Sequence, residues 1–435
     1  MKKVLVITYY WPPTGGSGVQ RWVKFSKYLP EHGWQPIIYT PENPDRTSVD
    51  HSLEKDIPEG TKIIRRPITE FYSIYRKLMG KKDVSAKEVN PINSRQRTLK
   101  QKLMLALRGN LFIPDPRATW IRPSVNYLCK YLKDNPVDAI VSTGPPHSMH
   151  LIAMKVAEKT GIPWVADFRD PWSKMFYFKH LCLSKWAERR HLSLERQVLD
   201  KADAVVAVSP LVQDDFRAMT STPIDLITNG FDEDDFKIEV SPDGYFNVTH
   251  TGLFSADGNP EIIWTALSKK CKEDAAFRER LRIRLVGKSD KEIIDSIEAN
   301  GLSDNLVNLG YCDHTVAVRE QKNATILILP LRKEPEYRAT LPGKLFEYLA
   351  SLRPILGVGQ TDGAMAKILN ATSSGNVYEW DNKLSVKEFI DRQWETFLRN
   401  GHSGGENEAG KSAISQYSRG ATASRMASLL DKISR

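Results

Sequence analysis

Short runs of β-branched and aliphatic residues recur along this chain. Each leads into a turn marked by glycine or proline and then into a stretch of helical periodicity, a pattern that restricts the chain to parallel α/β architecture. The first run lies at residues 4–7, and the helix expected after it carries Val19, Trp22, Val23, Phe25 and Leu29 on one arc and stops near Gly33. Strands are expected at 35–40, 137–143, 164–166, 204–208 and 224–228, with a helix from Ser148 to about Lys159 closed by Gly161. A second set begins near Tyr245, with strands at 247–251, 283–286, 325–329 and 355–358 and helices at 260–271 and 293–300. The long, basic and weakly periodic stretch from Pro41 to about Pro123 reads as an insert containing helices.

At 435 residues the chain exceeds one ordinary core. Two Rossmann-like domains facing each other across a cleft are expected. They cover residues 1–236, with a basic insert at about 70–117, and residues 237–410. Residues 411–435 are expected to supply a helix packing back on the first domain, after a polar break at 400–410. An apolar content of 41% with 26% charged residues fits a soluble globular protein, and no run of about 18 apolar residues predicts a membrane span. The N-terminal apolar run leads into Trp11-Pro12-Pro13 and reads as a strand, not as a signal peptide. Cys129, Cys182, Cys271 and Cys312 are scattered, which argues against disulfides or a zinc site and for a cytoplasmic location. Of a net charge of +9, an excess of eight lies between Arg76 and Arg108, where ten Lys or Arg stand against Asp83 and Glu88. Such a patch suits an anionic membrane surface or a phosphorylated acceptor, or is a solvated face. Without interleaved aromatics it does not suit nucleic acid.

The densest chemical signal is Pro342-Gly343-Lys344-Leu345-Phe346-Glu347, read as a strand-to-helix turn. A glycine there admits a phosphate to the free N–H groups of the helix, and Glu347, expected in the first turn, suits a diol. Phosphate plus diol outlines a nucleotide sugar. The loop Gly15-Gly16-Ser17-Gly18 follows the first strand without completing a dinucleotide fingerprint, since Arg21 stands where the third glycine belongs. Pro145-Pro146-His147-Ser148 puts His147 at a strand end, with Ser148 as the expected helix cap. In Asp167-Phe168-Arg169-Asp170-Pro171-Trp172 the charges form an internal ion-pair network, or else Asp170 or Arg169 faces the cleft.

These segments occur in order with Ala207-Val208-Ser209-Pro210, Ile227-Thr228-Asn229-Gly230-Phe231-Asp232 and Lys344-Leu345-Phe346-Glu347-Tyr348-Leu349-Ala350. The set resembles bacterial glycosyltransferase family 4, the retaining group-1 transferases of GT-B fold. The resemblance implies that Glu347 matches the second glutamate of a Glu-x7-Glu signature that holds the nucleotide ribose. It also implies that His147 matches the histidine touching the donor sugar, and that Gly16, Ser17 and Gly18 lie near the donor diphosphate. Ala339 replaces the first glutamate, Thr340-Leu341-Pro342-Gly343 replaces a Gly-Phe-Gly turn, and Leu253 and Asn259 stand where a basic pair is usual after Gly252. Arg338 and Lys344 flank the turn and are expected to substitute for that pair, with Arg332 a third candidate.

The reading that results is a retaining hexosyltransferase in cell-surface polysaccharide synthesis, cytoplasmic and peripheral at the inner membrane face. It takes a nucleotide-diphosphate sugar and a saccharide or lipid-linked acceptor, with no cofactor or metal and no nucleic-acid partner. His147, Lys344 and Arg338 are the catalytic candidates. Gly16, Ser17, Gly18, Gly252, Gly287, Thr340, Leu341, Gly343 and Glu347 are the donor-binding candidates, and Arg169 and Asp170 the acceptor-side ones. A sugar-nucleotide epimerase and a non-catalytic sugar-nucleotide-binding protein stay open as alternatives.

Overall fold

Val4, Leu5, Val6 and Ile7 have no exposed surface. They end β1 (Lys2–Ile7), an inner strand of a parallel sheet whose apolar runs are covered on both faces. The computed structural model describes residues 1–45, 49–69, 105–106, 108–175, 178–401 and 404–434. The chain divides into two compact units, Met1–Thr228 with Thr422–Arg435, and Asn229–Ala421.

In the first unit β2 (Trp34–Pro41), β3 (Lys62–Arg66), β4 (Ala139–Gly144), β5 (Trp164–Phe168), β6 (Ala204–Ala207) and β7 (Ile224–Leu226) join β1 in the order β3-β2-β1-β4-β5-β6-β7. β3 adds a strand to the stretch read as an insert containing helices: Lys62–Arg66 pairs with β2 at the sheet edge. The basic segment itself lies mostly outside the described residues. The helix Ser17–Tyr28 continues into a 3-10 turn, Leu29–His32, and Gly33 closes it at φ 81°. From the closing helix Arg419–Ile433, Ala423, Met426, Ala427, Leu429 and Leu430 join the core formed by Val4, Val6, Trp22 and Val141.

In the second unit β8 (Phe246–Thr251), β9 (Leu281–Val286), β10 (Leu306–Gly310), β11 (Ile326–Pro330), β12 (Ile355–Val358) and β13 (Gly375–Tyr378) are parallel in the order β10-β9-β8-β11-β12-β13. This unit begins after Thr228 and ends at Ala421. The two segments at its ends bond each other, with the Phe231 N–H donating to Tyr417 O and the Arg419 N–H to Phe231 O.

Each sheet reverses its strand order once, between β1 and β4 and between β8 and β11. At such a switch the loops leaving two neighbouring strands run apart and open a crevice at the strand C-termini, where ligands of open α/β sheets bind. The loops after β1, β4, β8 and β11 therefore carry the functional expectation.

Candidate functional site

In the second unit a cavity of about 220 Å³ opens at the switch. His250, Leu253, Phe254, Ser255 and Gly258 line it from β8 and its loop; Leu331, Arg332, Tyr337, Thr340, Pro342 and Lys344 line it from the segment after β11. Two glycines shape the β8 side. Gly252 (φ 84°) donates to Val286 O, and Gly287 (φ 120°) has no room for a side chain, since a Cβ would stand 2.5 Å from Gly252 O. These glycines set the turn that carries Leu253 over Lys344, and a Cβ on Gly252 would lie 3.5 Å from Lys344 Nζ.

Lys344 donates to His250 Nε2 at 3.0 Å and to Leu253 O at 3.2 Å. Burial pushes its amine down to about 8, against the opposing pull of Glu347. Arg332 bridges to Asp257 at 3.5 Å with its guanidinium 5.5 Å from the Tyr337 ring centre. Arg338, paired with Lys344 in the sequence reading, is instead a surface residue bonded to Asp362 at 2.8 Å. The 3-10 turn Pro335–Ala339 accounts for this difference: it separates β11 from the helix Gly343–Ala350, so the turn is not direct and Arg332 at the strand end meets the cavity.

Glu347 falls in the second turn of that helix, not the first, which holds no acidic residue. Its Oε1 lies 3.3 Å from His314 Nε2, and its Oε2 accepts from Gln321 Nε2 at 3.0 Å. Burial raises the carboxyl pKa, but the His314 and Gln321 contacts and the charge of Arg419 carry it below the usual range. Gln321, fully buried, also donates to Thr251 Oγ1 at 3.0 Å and so ties the glutamate to the end of β8. Neither Gln321 nor His314 carries a sequence signal, because each stands in an unremarkable helix far along the chain. Gly343 is open, with nothing within 4 Å of an added Cβ, whereas Leu341, partly buried, packs against the core cluster that includes Phe346 and Leu349.

In the first unit His147 is 4% exposed and stacks on Trp172 with ring centres 4.6 Å apart and planes 4° from parallel. Both its ring nitrogens are buried without a hydrogen-bond partner. Burial and the nearby His150 and Arg169 hold its pKa well below the usual value, so the ring is a neutral donor and acceptor. Trp172 is fixed in turn: its Nε1 donates to His191 Nδ1 at 3.1 Å, and its backbone N–H donates to Glu195 at 3.2 Å.

Ser148 does not cap the helix Ser148–Thr160. Its N–H and hydroxyl both donate to Asp115, at 2.8 and 2.9 Å, so a carboxylate from a distant loop caps the helix beside His147. Arg169 is a tie between loops: it donates to Gly18 O at 2.5 Å, to Pro145 O and to Gly144 O, and lies over the Tyr10 ring. A Cβ on Gly18 would stand 2.7 Å from Arg169 Nη1, so Gly18 serves this packing. Gly16 precedes the helix at φ 103°, and Ser17 is its first residue.

Asp167 is ion-paired, but with Arg21 from outside its segment and not with Arg169: it takes two bonds from Arg21, at 3.1 and 2.8 Å, and one from Trp22 Nε1 at 2.8 Å. Asp170 is pushed up to about 6 by burial, with Arg169 opposing. Among the described residues no three His, Cys, Asp or Glu side chains are grouped to hold a metal ion.

Residues 104–230, which include Asp115, His147, Arg169, Asp170 and Trp172, match the model of the glycosyl transferase 4-like domain. The chain carries a glycosyltransferase domain. The glycosyl transferase 4-like match stops at the end of the first unit, and solved structures extend the likeness to the whole chain. Sucrose-phosphate synthase from Thermosynechococcus elongatus has a TM-score of 0.64 at 14% identity, covering 99% of both chains. WaaG, a glycosyltransferase involved in lipopolysaccharide biosynthesis, has 0.57 at 14% over 98% of this chain and 99% of its own. An E. coli trehalose-6-phosphate structure bound with UDP-2-fluoro glucose has 0.61 at 10% over 99% of both. The fold around the glycosyltransferase domain is thus GT-B. No curated protein matches the sequence.

Proposed function

We propose that this chain is a retaining glycosyltransferase. It moves a hexosyl group from a nucleotide-diphosphate sugar to a saccharide or lipid-linked saccharide acceptor in cell-surface polysaccharide synthesis. The carrying observation is Lys344, a cation that with Arg332 lines a cavity at a sheet switch point, one helical turn before Glu347. Two cations suit a diphosphate, and a carboxylate with its oxygens already oriented suits a ribose diol. The similar E. coli structure holds a nucleotide sugar, UDP-2-fluoro glucose.

The chemistry requires stabilisation of a departing diphosphate and of an oxocarbenium-like centre, which is electrostatic work. Lys344 and Arg332 take the growing phosphate charge, and the open N–H groups at Gly343 add to it. His147, neutral and with both nitrogens unpartnered, bonds a sugar hydroxyl. Asp170 stands on the acceptor side, where a carboxyl pushed up to about 6 by burial is a stronger hydrogen-bond acceptor than an ordinary aspartate. Retention follows from attack on the face that the diphosphate leaves, assisted by its own oxygen.

Peripheral attachment to an anionic membrane belongs to the same reading. Trp186 (67% exposed) shares the helix Lys185–Lys201 with the exposed Lys185, Arg189 and Arg190, and a mix of aromatic and basic side chains suits a lipid interface. Among the described residues no helix is long and apolar enough to cross a membrane.

The test is product analysis. The full chain is incubated with uridine, guanosine and adenosine diphosphate sugars and a lipid-linked acceptor extract, and the new linkage is read by proton NMR. The anomeric configuration of the donor is expected in the product. An inverted product overturns retention, and donor epimerised without acceptor replaces transfer by the epimerase reading.

A further inference from the structure

Lys344 is held from β8 by two acceptors, His250 Nε2 and Leu253 O. An ammonium has three N–H donors, so one remains for the cavity that Lys344 lines. His250 is 2% exposed, stacks on Phe254 with ring centres 3.9 Å apart, and its Nδ1 is buried without a hydrogen-bond partner. A buried polar atom left in this way is costly unless the ring does something that an apolar side chain cannot. An imidazole can accept at Nε2 in one tautomer and donate there in the other.

We propose, resting on the donor reading above, that His250 is a positioning residue for diphosphate binding: it anchors Lys344 Nζ so that its remaining N–H faces the cavity. While Lys344 is charged, Nε2 accepts and the ring proton sits on Nδ1. When Lys344 is neutral, the other tautomer donates from Nε2 to the amine lone pair. The bond survives both states of the lysine but is stronger to the charged amine, and the ring itself stays neutral because burial and the Lys344 charge depress its basicity.

Other charges around the pair are placed differently. Glu347, on the lysine's own helix, favours the charged amine. Arg332 lines the same cavity and is bridged to Asp257 from the loop after β8. His314 and Arg419 act on Glu347. Above about pH 8 a diphosphate arriving beside neutral Lys344 draws one proton from solvent onto Nζ, and His250 gives up its Nε2 proton and takes one on Nδ1, so the ring stays neutral and the net uptake is one proton.

The experiment uses the full chain with two readouts. Acetylation of Lys344 by acetic anhydride, followed by mass spectrometry from about pH 6 to about pH 10, reports the charge on Nζ. Calorimetry with uridine, guanosine and adenosine diphosphate reports anion binding. His250→Phe keeps the ring stack and removes both nitrogens. It is expected to lower the labelling midpoint by at least about half a pH unit and to weaken the tightest diphosphate about tenfold. His250→Gln, which can accept or donate, is expected to restore both, with affinity within about threefold of wild type. In a Lys344→Met background His250→Phe is expected to add nothing, because the two act as one unit. His250→Met, with the same expected outcomes, replaces the phenylalanine variant if that one does not fold. An unchanged labelling midpoint, or an equal loss of binding in the Lys344→Met background, overturns the proposal. If no diphosphate binds the wild type, the donor reading falls and the positioning role with it, while a shifted midpoint still establishes the pair.

Discussion

Two residues divide the basic role that the sequence reading gave to Arg338 and Lys344. Lys344 and Arg332 line the cavity, whereas Arg338 is engaged with Asp362 on the surface. Arg332→Ala should therefore weaken nucleoside diphosphate binding about tenfold, as expected for losing one charge-assisted contact, and Arg338→Ala less than about threefold. Calorimetry on both variants checks the order. Affinity should also fall as pH rises through about 8, since Lys344 then loses the charge that the phosphates need. Loss of affinity only near the ordinary lysine range would contradict the burial of this amine. Lys344 and His147 were legible in the sequence because each stands at the start of a helix, and Glu347 because it matched the signature of the resemblance. Their partners were not. Gln321 meets Glu347, His250 meets Lys344 and Asp115 meets Ser148 beside His147 only after the chain has folded, and nothing local marks them.

Elements show a parallel limit. The inner strands announce themselves by unbroken apolar runs, such as Val4–Ile7, because both sheet faces are covered. The three strands that the pattern did not reveal, β3, β10 and β13, all lie at sheet edges, and their burial is broken or partial. Their sequences alternate or mix polar residues because one side meets solvent. The Ser148–Thr160 helix gives an element-scale prediction. Asp115→Ala removes both bonds to Ser148 and should cost about 1 kcal/mol of stability, read from the urea midpoint. Because His147 precedes this helix, sugar-dependent turnover should fall in the same variant. A stability loss with turnover unchanged would separate the cap from the site.

At the scale of the molecule the two-domain α/β architecture was readable from the recurrence of strand and helix, and the GT-B fold agrees with it. The polar interior was less readable. Asp167 sits in a wholly buried pair with Arg21, which also donates to Ile227 O and Thr228 O at the end of the first unit. Asp167→Asn leaves that guanidinium uncompensated and should cost about 3–5 kcal/mol, measured by urea unfolding. Buried neutral histidines make the fold acid-sensitive. His147, His150 and His250 have folded pKa values depressed below 6.5, so the unfolded chain takes up protons first and stability falls as pH drops past that value. His191 is lowered by burial as well, whereas Asp170, raised to about 6, and Glu195, also raised by burial, act in the opposite sense, two groups against four. The urea midpoint should accordingly be lower at pH of about 6 than at about 7.5.

Release of nucleoside diphosphate from a panel of nucleotide sugars, measured with and without a lipid-linked acceptor extract, tests the central claim most directly. The account predicts acceptor-dependent release by the wild-type chain, at least about tenfold slower in both Lys344→Ala and His147→Ala while each variant still folds. Release that is unaffected by Lys344→Ala, or no release from any donor, would contradict it.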